Sequence, residues 1–175
     1  MRTHDGLVTE RILLRRWHDD DLDAFAEVTG DPEVMRWIGD GRALDREATA
    51  ARLDVYRRHW EEHGFGLYAL VLRQTGELAG FTGLAVPTFL PEILPAVEIG
   101  WRLGQRHWGQ GLATEAARAV VAHARADLGL DRLVSIHQVG NDASANVMIK
   151  LGMHLDRETL EPGSGRAVRV YALDL

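Results

Sequence analysis

Arg106, Gly109 and Gly111 fall in the run Gln105-Arg106-His107-Trp108-Gly109-Gln110-Gly111-Leu112-Ala113. The run lies between an alternating apolar stretch, Ala96 to Leu103, and a long Ala-rich amphipathic segment, so the pattern predicts a strand-to-helix junction. Glycines there let the backbone turn tightly and come close to a ligand. The first amides of the following helix, from Leu112 and Ala113 onward, have no intrahelical partner and can face an anion. Arg106 would add a fixed positive charge with planar donors. Together Arg106, Gly109, Gln110, Gly111, Leu112 and Ala113 read as a cradle for a pyrophosphate. Two common cradles do not fit. Gly104 and Gly109 have the P-loop spacing, but Gln110 and Gly111 stand where Lys and Ser or Thr are needed. The dinucleotide fingerprint fits Gly109 and Gly111 but meets Thr114 in place of its third glycine.

A second candidate is Glu98. In a strand, Val97, Ile99, Trp101 and Leu103 share one face, and Glu98, Gly100 and Arg102 share the other. Glu98 and Arg102 are four residues apart, roughly 13 Å along a strand, so they cannot pair directly. A carboxylate on an otherwise apolar strand therefore needs another partner or a path to water. It is either a structural anchor for a neighbouring loop or a general base accepting an amine proton. Gly100 suggests a bulge or a close ligand approach. Ser144 starts a further helix, three residues after Asn141. Asp142 or Asn141 would cap that helix, with Asp142 favoured. The eight histidines show no paired metal-ligand spacing and no Gly-x-Ser-x-Gly elbow surrounds Ser144, so neither a metal site nor a hydrolase pair is expected.

These residues need elements to hold them. Leu7 to Trp17 reads as a first strand, and Asp19-Asp20-Asp21 precedes a helix with Leu22, Phe25, Ala26 and Val28. Asp45 to His63 is an amphipathic helix ending at Gly64. Gly66 to Arg73 and Glu77 to Val86 form a hairpin around Gln74-Thr75-Gly76. After Ala96 to Leu103, Leu112 to Leu128 is the clearest helix, Arg132 to Val139 a strand and Ala143 to Leu151 a helix. Met153 to Leu160 and Ala167 to Leu175 are closing strands around Pro162-Gly163-Ser164-Gly165. The order predicts an α/β (α+β) chain with a mixed sheet of about seven strands and about four helices.

With 175 residues, 46% of them hydrophobic, the chain suits one domain with a sizeable core, residues 1–175. No apolar run reaches the roughly 18 residues of a membrane helix. Residues 1–5 are polar and lack the apolar stretch of a signal peptide. Zero cysteines exclude a disulfide framework and a thiolate nucleophile. A net charge of −6 argues against a nucleic-acid surface and requires any phosphate site to be made locally. A cytoplasmic protein is expected, with no membrane or nucleic-acid partner and a possible homodimeric state.

The spacing Arg106-x-x-Gly109-x-Gly111 resembles the pyrophosphate loop of the GNAT superfamily of acyl-CoA-dependent N-acyltransferases. Thr9-Glu10-Arg11-Ile12-Leu13-Leu14-Arg15 looks like the first strand of the branch that acetylates ribosomal-protein N-termini, and Val97-Glu98-Ile99-Gly100-Trp101-Arg102-Leu103 resembles its fourth strand. Asn141-Asp142-Ala143-Ser144-Ala145-Asn146-Val147, continuing through Lys150-Leu151-Gly152-Met153, resembles its Asn-x-x-Ser helix. The likeness spans nearly the whole chain. It implies a GNAT-like fold, a mostly antiparallel sheet splayed at the cofactor site, and acetyl-CoA as co-substrate without a metal. It also implies backbone contacts from Ile99 and Trp101 to the pantetheine arm, a contact from Asn141 to its amide and one from Asn146 to the cofactor's distal part. Glu98 and Ser144 become the catalytic candidates, Ser144 as a hydroxyl near the thioester sulfur. Many relatives carry a tyrosine acid one turn on, where this chain has Met148. Tyr171 is an outside substitute. Trp37 and Trp60 fall in the region that forms the acceptor cleft in relatives. The implied reaction is direct attack of a neutral amine on acetyl-CoA, and the rival is a non-catalytic CoA-binding module. At pH 7 an α-amine is about 14% neutral and a lysine about 0.04%. That favours peptide N-termini or small-molecule amines as acceptors.

Overall fold

The computed structural model describes residues 2–3 and 6–175. Residues 1, 4 and 5 of the polar N-terminal stretch lie outside the described residues. The strands are β1 (Arg2–Thr3), β2 (Gly6–Val8), β3 (Ile12–Arg15), β4 (Leu67–Leu72), β5 (Leu78–Ala85), β6 (Glu98–Leu103), β7 (Arg132–Gln138), β8 (His154–Leu160) and β9 (Ala167–Asp174). The helices are α1 (Asp21–Thr29), α2 (Pro32–Met35), α3 (Arg46–His63), α4 (Leu112–Ala126) and α5 (Asp142–Lys150). No helix among the described residues is long and apolar enough to cross a membrane.

The strands form one sheet in the order β1-β2-β3-β4-β5-β6-β7-β9-β8. Every neighbour is antiparallel except β6 and β7, which run parallel and pair at the single register Glu98↔Val134. On one face the α4 side chains Leu112, Ala116, Ala117, Val120 and Ala124 pack with Ile12, Leu14, Leu70 and Ile99. This is the apolar helix stripe legible in the sequence. On the other face Phe25, Val28 and Leu53 of α1 and α3 pack on Leu67, Ala69 and Phe81. The α3 start is capped by Asp45, whose side chain accepts from the Ala48 amide, and Gly64 ends it at φ 72°.

The expected first strand is two strands. Thr9 and Ile12 close a turn, with the Thr9 amide 2.9 Å from the Ile12 carbonyl. The turn is fixed from outside. Glu115, in the first turn of α4, accepts from the Thr9 hydroxyl at 2.6 Å and from the Arg11 amide at 3.0 Å, and pairs with the Arg11 guanidinium at 2.6 Å. Such a side-chain contact across more than a hundred residues leaves no local periodicity to read. α2 is the helix missed in the sequence, a single turn with Pro32 at its start and Asp31 capping Glu33.

Asp21 is buried at the head of α1 and takes two bonds of 2.7 Å from Arg15, plus the His18 amide at 2.8 Å. Burial pushes its carboxyl up, but the Arg15 guanidinium and the His18 amide outweigh this and hold it below the ordinary value. The folded pKa is depressed, so the stabilisation is present above the unfolded value and is lost as pH falls through the folded one. Asp21→Ala should cost about 3 kcal/mol in urea unfolding at neutral pH, because Arg15 loses its partner. The gap between variant and wild type should shrink below pH 4.

Candidate active site

The chain leaves β6 through a single 3-10 turn, Gln105–His107, and enters α4 at Gly111. Trp108 ties the loop back, its indole N–H 2.8 Å from the Leu103 carbonyl. Gly109 and Gly111 have φ of 72° and 77°, the left-handed region that disfavours side chains. The first α4 hydrogen bond runs from the Glu115 amide to the Gly111 carbonyl, and no side chain caps the helix. The amides of Leu112, Ala113 and Thr114 therefore have no acceptor among the described residues. A Cβ at Gly109 would meet nothing within 4 Å, and one at Gly111 would meet only the Arg11 guanidinium at 3.7 Å. The space in front of these amides is open.

Two residues of the loop are engaged with other protein groups. The Arg106 guanidinium lies 2.5 Å from Glu77 and is 61% exposed, outside the cavity wall. Its charge is largely matched already, since Glu77 on the β4–β5 connection sits beside the loop. The Gln110 side chain folds back onto the Arg106 carbonyl at 2.9 Å, and the Gln110 carbonyl accepts from Arg11 at 2.9 Å. Both residues brace the loop. The amides and glycines line the space.

Beyond Glu98↔Val134 the strands β6 and β7 diverge. Side chains plug the start of the gap: the Ser135 hydroxyl donates to the Ile99 carbonyl at 2.8 Å. At the far end the Leu103 carbonyl is taken by Trp108. Backbone groups of Ile99, Trp101 and Leu103 point the same way along the strand. Trp101 lies between the two plugged positions, with no strand partner on that side. A cavity of about 700 Å³ opens here, within the size range of small-molecule sites.

Glu98 lines this cavity at the apex of the gap. Burial pushes its carboxyl up to about 8; the backbone N–H of Ile136 and the positive charge of Arg102 pull the other way and fall short. Arg102 lines the same cavity from the same face of β6, its guanidinium 5.1 Å from the Phe81 ring. As the strand spacing requires, the two side chains form no ion pair.

The opposite wall is α5. Its cap is Asn141 rather than Asp142: the Asn141 side chain accepts from the Ser144 amide at 3.3 Å. The helix begins one residue earlier than expected, which puts Asn141 at the capping position. Asn141, Ser144 and Asn146 all line the cavity. The Ser144 hydroxyl has no hydrogen-bond partner among the described residues. Met148 is fully buried in the core beneath α4, so nothing polar replaces the tyrosine of relatives there. Tyr171 packs against the same core, its ring 5.6 Å from that of the wall residue His137, and does not itself line the cavity. Of the two tryptophans expected at the cleft, Trp37 lines it and Trp60 does not. Trp60 is a core residue, its indole N–H 3.0 Å from the Leu67 carbonyl and the Arg16 guanidinium stacked on its ring.

The model of the acetyltransferase (GNAT) domain matches residues 11–154, most of the chain. The chain belongs to the GNAT acetyltransferase family. It is similar to the uncharacterized protein YkkB of Bacillus subtilis (strain 168), 32% identical over 90% of each chain. Among solved structures it resembles an acetyltransferase from Agrobacterium tumefaciens str. C58, 28% identical, TM-score 0.83, covering 100% of this chain and 97% of that one. The fold also matches RimL, a ribosomal L7/L12 alpha-N-protein acetyltransferase in complex with coenzyme A, at 18% identity, TM-score 0.77 and 96% of each chain.

In this GNAT acetyltransferase several wall residues escaped the sequence reading. Lys150 lines the cavity with Ala143, Asn146 and Val147. Their three- and four-residue spacing marks one helical face and was the available signal. His137 lines it too, Nδ1 2.9 Å from the Gln138 carbonyl and Nε2 buried without a partner among the described residues. Burial pushes the His137 pKa down, so the ring is neutral, with Nε2 as a free acceptor. Trp37 is held in place by Arg166, which bonds the Arg36 and Asp40 carbonyls at 2.9 and 2.7 Å. No local sequence pattern reports such a strap.

Proposed function

We propose that this acetyltransferase moves the acetyl group of acetyl-CoA directly to a primary amine, a peptide N-terminus or a small-molecule amine, and that residues 1–175 act as one domain. One observation carries the reading. A single cavity passes through the splayed sheet and joins an anion cradle on the α4 side to a carboxyl with a raised pKa at Glu98. The residues present fit the cofactor: open space at two left-handed glycines, three unpaired helix amides, and an unpaired His137 Nε2.

Gly109, Gly111, Leu112 and Ala113 would hold the pyrophosphate through their backbone, with Arg106 and Gln110 keeping the loop in shape. Trp101 would present its unpaired strand-edge backbone groups to the pantetheine arm; Ile99 beside it, the other expected contact, has its carbonyl taken by Ser135 and its N–H by the β7 pairing. Asn141 spends its side-chain oxygen on capping, which leaves its amide N–H2 to donate, and Asn146 with Lys150 would meet the distal part. Bound acetyl-CoA supplies an activated acyl group whose thiolate leaves without covalent catalysis by the protein. Glu98 takes the amine proton, directly or through one water. A carboxylate with a pKa near 8 is matched to an α-amine, about 7.8, far better than an ordinary one is. No protein nucleophile is needed, because positioning supplies much of the barrier reduction.

Ser144 would donate to the departing thiolate. One hydrogen bond to a charged group contributes about 1.5–3 kcal/mol, or roughly ten- to a hundred-fold in rate. Ser144→Ala should lower kcat by about that factor and leave acetyl-CoA affinity unchanged. Its amide bond to Asn141 survives the substitution, so capping is not removed. A wild-type kcat in the variant would reduce Ser144 to a first-turn helix residue. The reading as a whole is tested by thiol release from acetyl-CoA across a broad amine panel. Thermal stabilisation by acetyl-CoA with no thiol release from any amine would restore the non-catalytic rival.

A further inference from the structure

Among the described residues, Arg102 is the one arginine or lysine that the sheet carries into the cavity. Its Nε is buried without a hydrogen-bond partner, and among the described residues no ion pair reaches it. It lies over the Phe81 ring, a contact that suits a cation but leaves its planar donors unused. Burial pushes its pKa down, Arg52 adds to that push, and Tyr56 and Glu98 oppose it. A guanidinium nonetheless stays charged. Leaving such a group buried and unpaired is costly. Arg52, exposed on α3, lines the same cavity and also takes part in no ion pair among the described residues. The chain carries a net charge of −6, yet this wall is cationic.

The floor between the two ends is bare. Gly100 lies between Glu98 and Arg102 on one face of β6, and a Cβ there would meet nothing within 4 Å. A ligand can rest on the strand with one end at each side chain, which lie about 13 Å apart at their Cα atoms and converge on the same cavity.

We propose that the acceptor amine also carries a carboxylate, which Arg102 binds with Arg52 at the rim while the amine faces Glu98. This rests on the reading of Glu98 and the acetyl transfer above. Matched amines, each as the free carboxylate and as its carboxamide, would be compared by thiol release with wild type, Arg102→Gln and Arg102→Lys. Free α-amino acids form one arm and peptides with Asp or Glu at the second position the other, which separates the two sources of the carboxylate. Wild type should favour the carboxylate member by roughly ten- to a hundred-fold in kcat/KM, the effect of one charged hydrogen bond. Arg102→Gln should erase the preference through the KM of the amine, with the KM of acetyl-CoA unchanged, and Arg102→Lys should keep part of it. Equal use of both members by wild type, or a preference that survives in Arg102→Gln, overturns the proposal and leaves acetyl transfer standing. No thiol release from any amine, with acetyl-CoA bound, overturns both. The wild-type comparison decides the matter even if Arg102→Gln fails to fold.

Discussion

Gly111→Val should bind acetyl-CoA at least a hundred-fold more weakly than wild type by calorimetry. Gly111 sits at φ 77° directly before the unpaired α4 amides. A β-branched residue in that region costs about 1–2 kcal/mol, which a folded domain can absorb while the loop shifts. The shift, together with a side chain in the open space before the amides, removes two or more charge-assisted hydrogen bonds. At about 1.5–3 kcal/mol each, their loss is a factor of roughly a hundred to ten thousand or more in affinity. Arg106→Ala is the contrast. Its guanidinium is already matched by Glu77, so its affinity should stay within several-fold of wild type. Unchanged affinity in a folded Gly111→Val would place the cofactor elsewhere.

Glu98→Gln should lower kcat at neutral pH by a factor of about a hundred to ten thousand, the usual range for a general base. With the carboxyl near 8, wild-type activity should climb with pH and level off above that value, as Glu98 becomes ionised. The variant should lose the part of that rise due to Glu98 and keep the part that follows the amine's own titration, near 7.8 for an α-amine. Its deficit should narrow at high pH, where more of the amine is neutral unaided. Stability should move the opposite way. The folded pKa lies above the unfolded one, so wild type loses stability as pH rises from the ordinary carboxylate range to about 8. The glutamine variant escapes that loss and should unfold at a higher temperature at pH 8. An equal deficit at every pH, with acetyl-CoA affinity intact, would make Glu98 a structural residue.

What the sequence disclosed and what it hid follow a physical divide. Local periodicity announced β6, α4 and α5, because alternation and helical stripes report burial directly. Left-handed glycines announced the cradle, because few other residues tolerate that backbone. The partners of charged groups stayed hidden. Nothing in the sequence pairs Arg106 with Glu77 or shows Glu115 clamping the β2–β3 turn. Trp60 and Trp37 were indistinguishable by type, yet one is core and the other wall. The capping choice between Asn141 and Asp142 turned on a one-residue shift in where α5 begins.

Direct transfer in the splayed cavity is tested most directly by following a labelled acetyl group through a single turnover. Enzyme in excess over acetyl-labelled acetyl-CoA is mixed with an accepted amine, quenched over time and separated into protein, amine and free acetate. Direct transfer requires the label to pass from acetyl-CoA to the amine at the rate thiol appears, with none held by the protein at any time. Label that accumulates on the protein before reaching the amine, or that ends as free acetate, would contradict it.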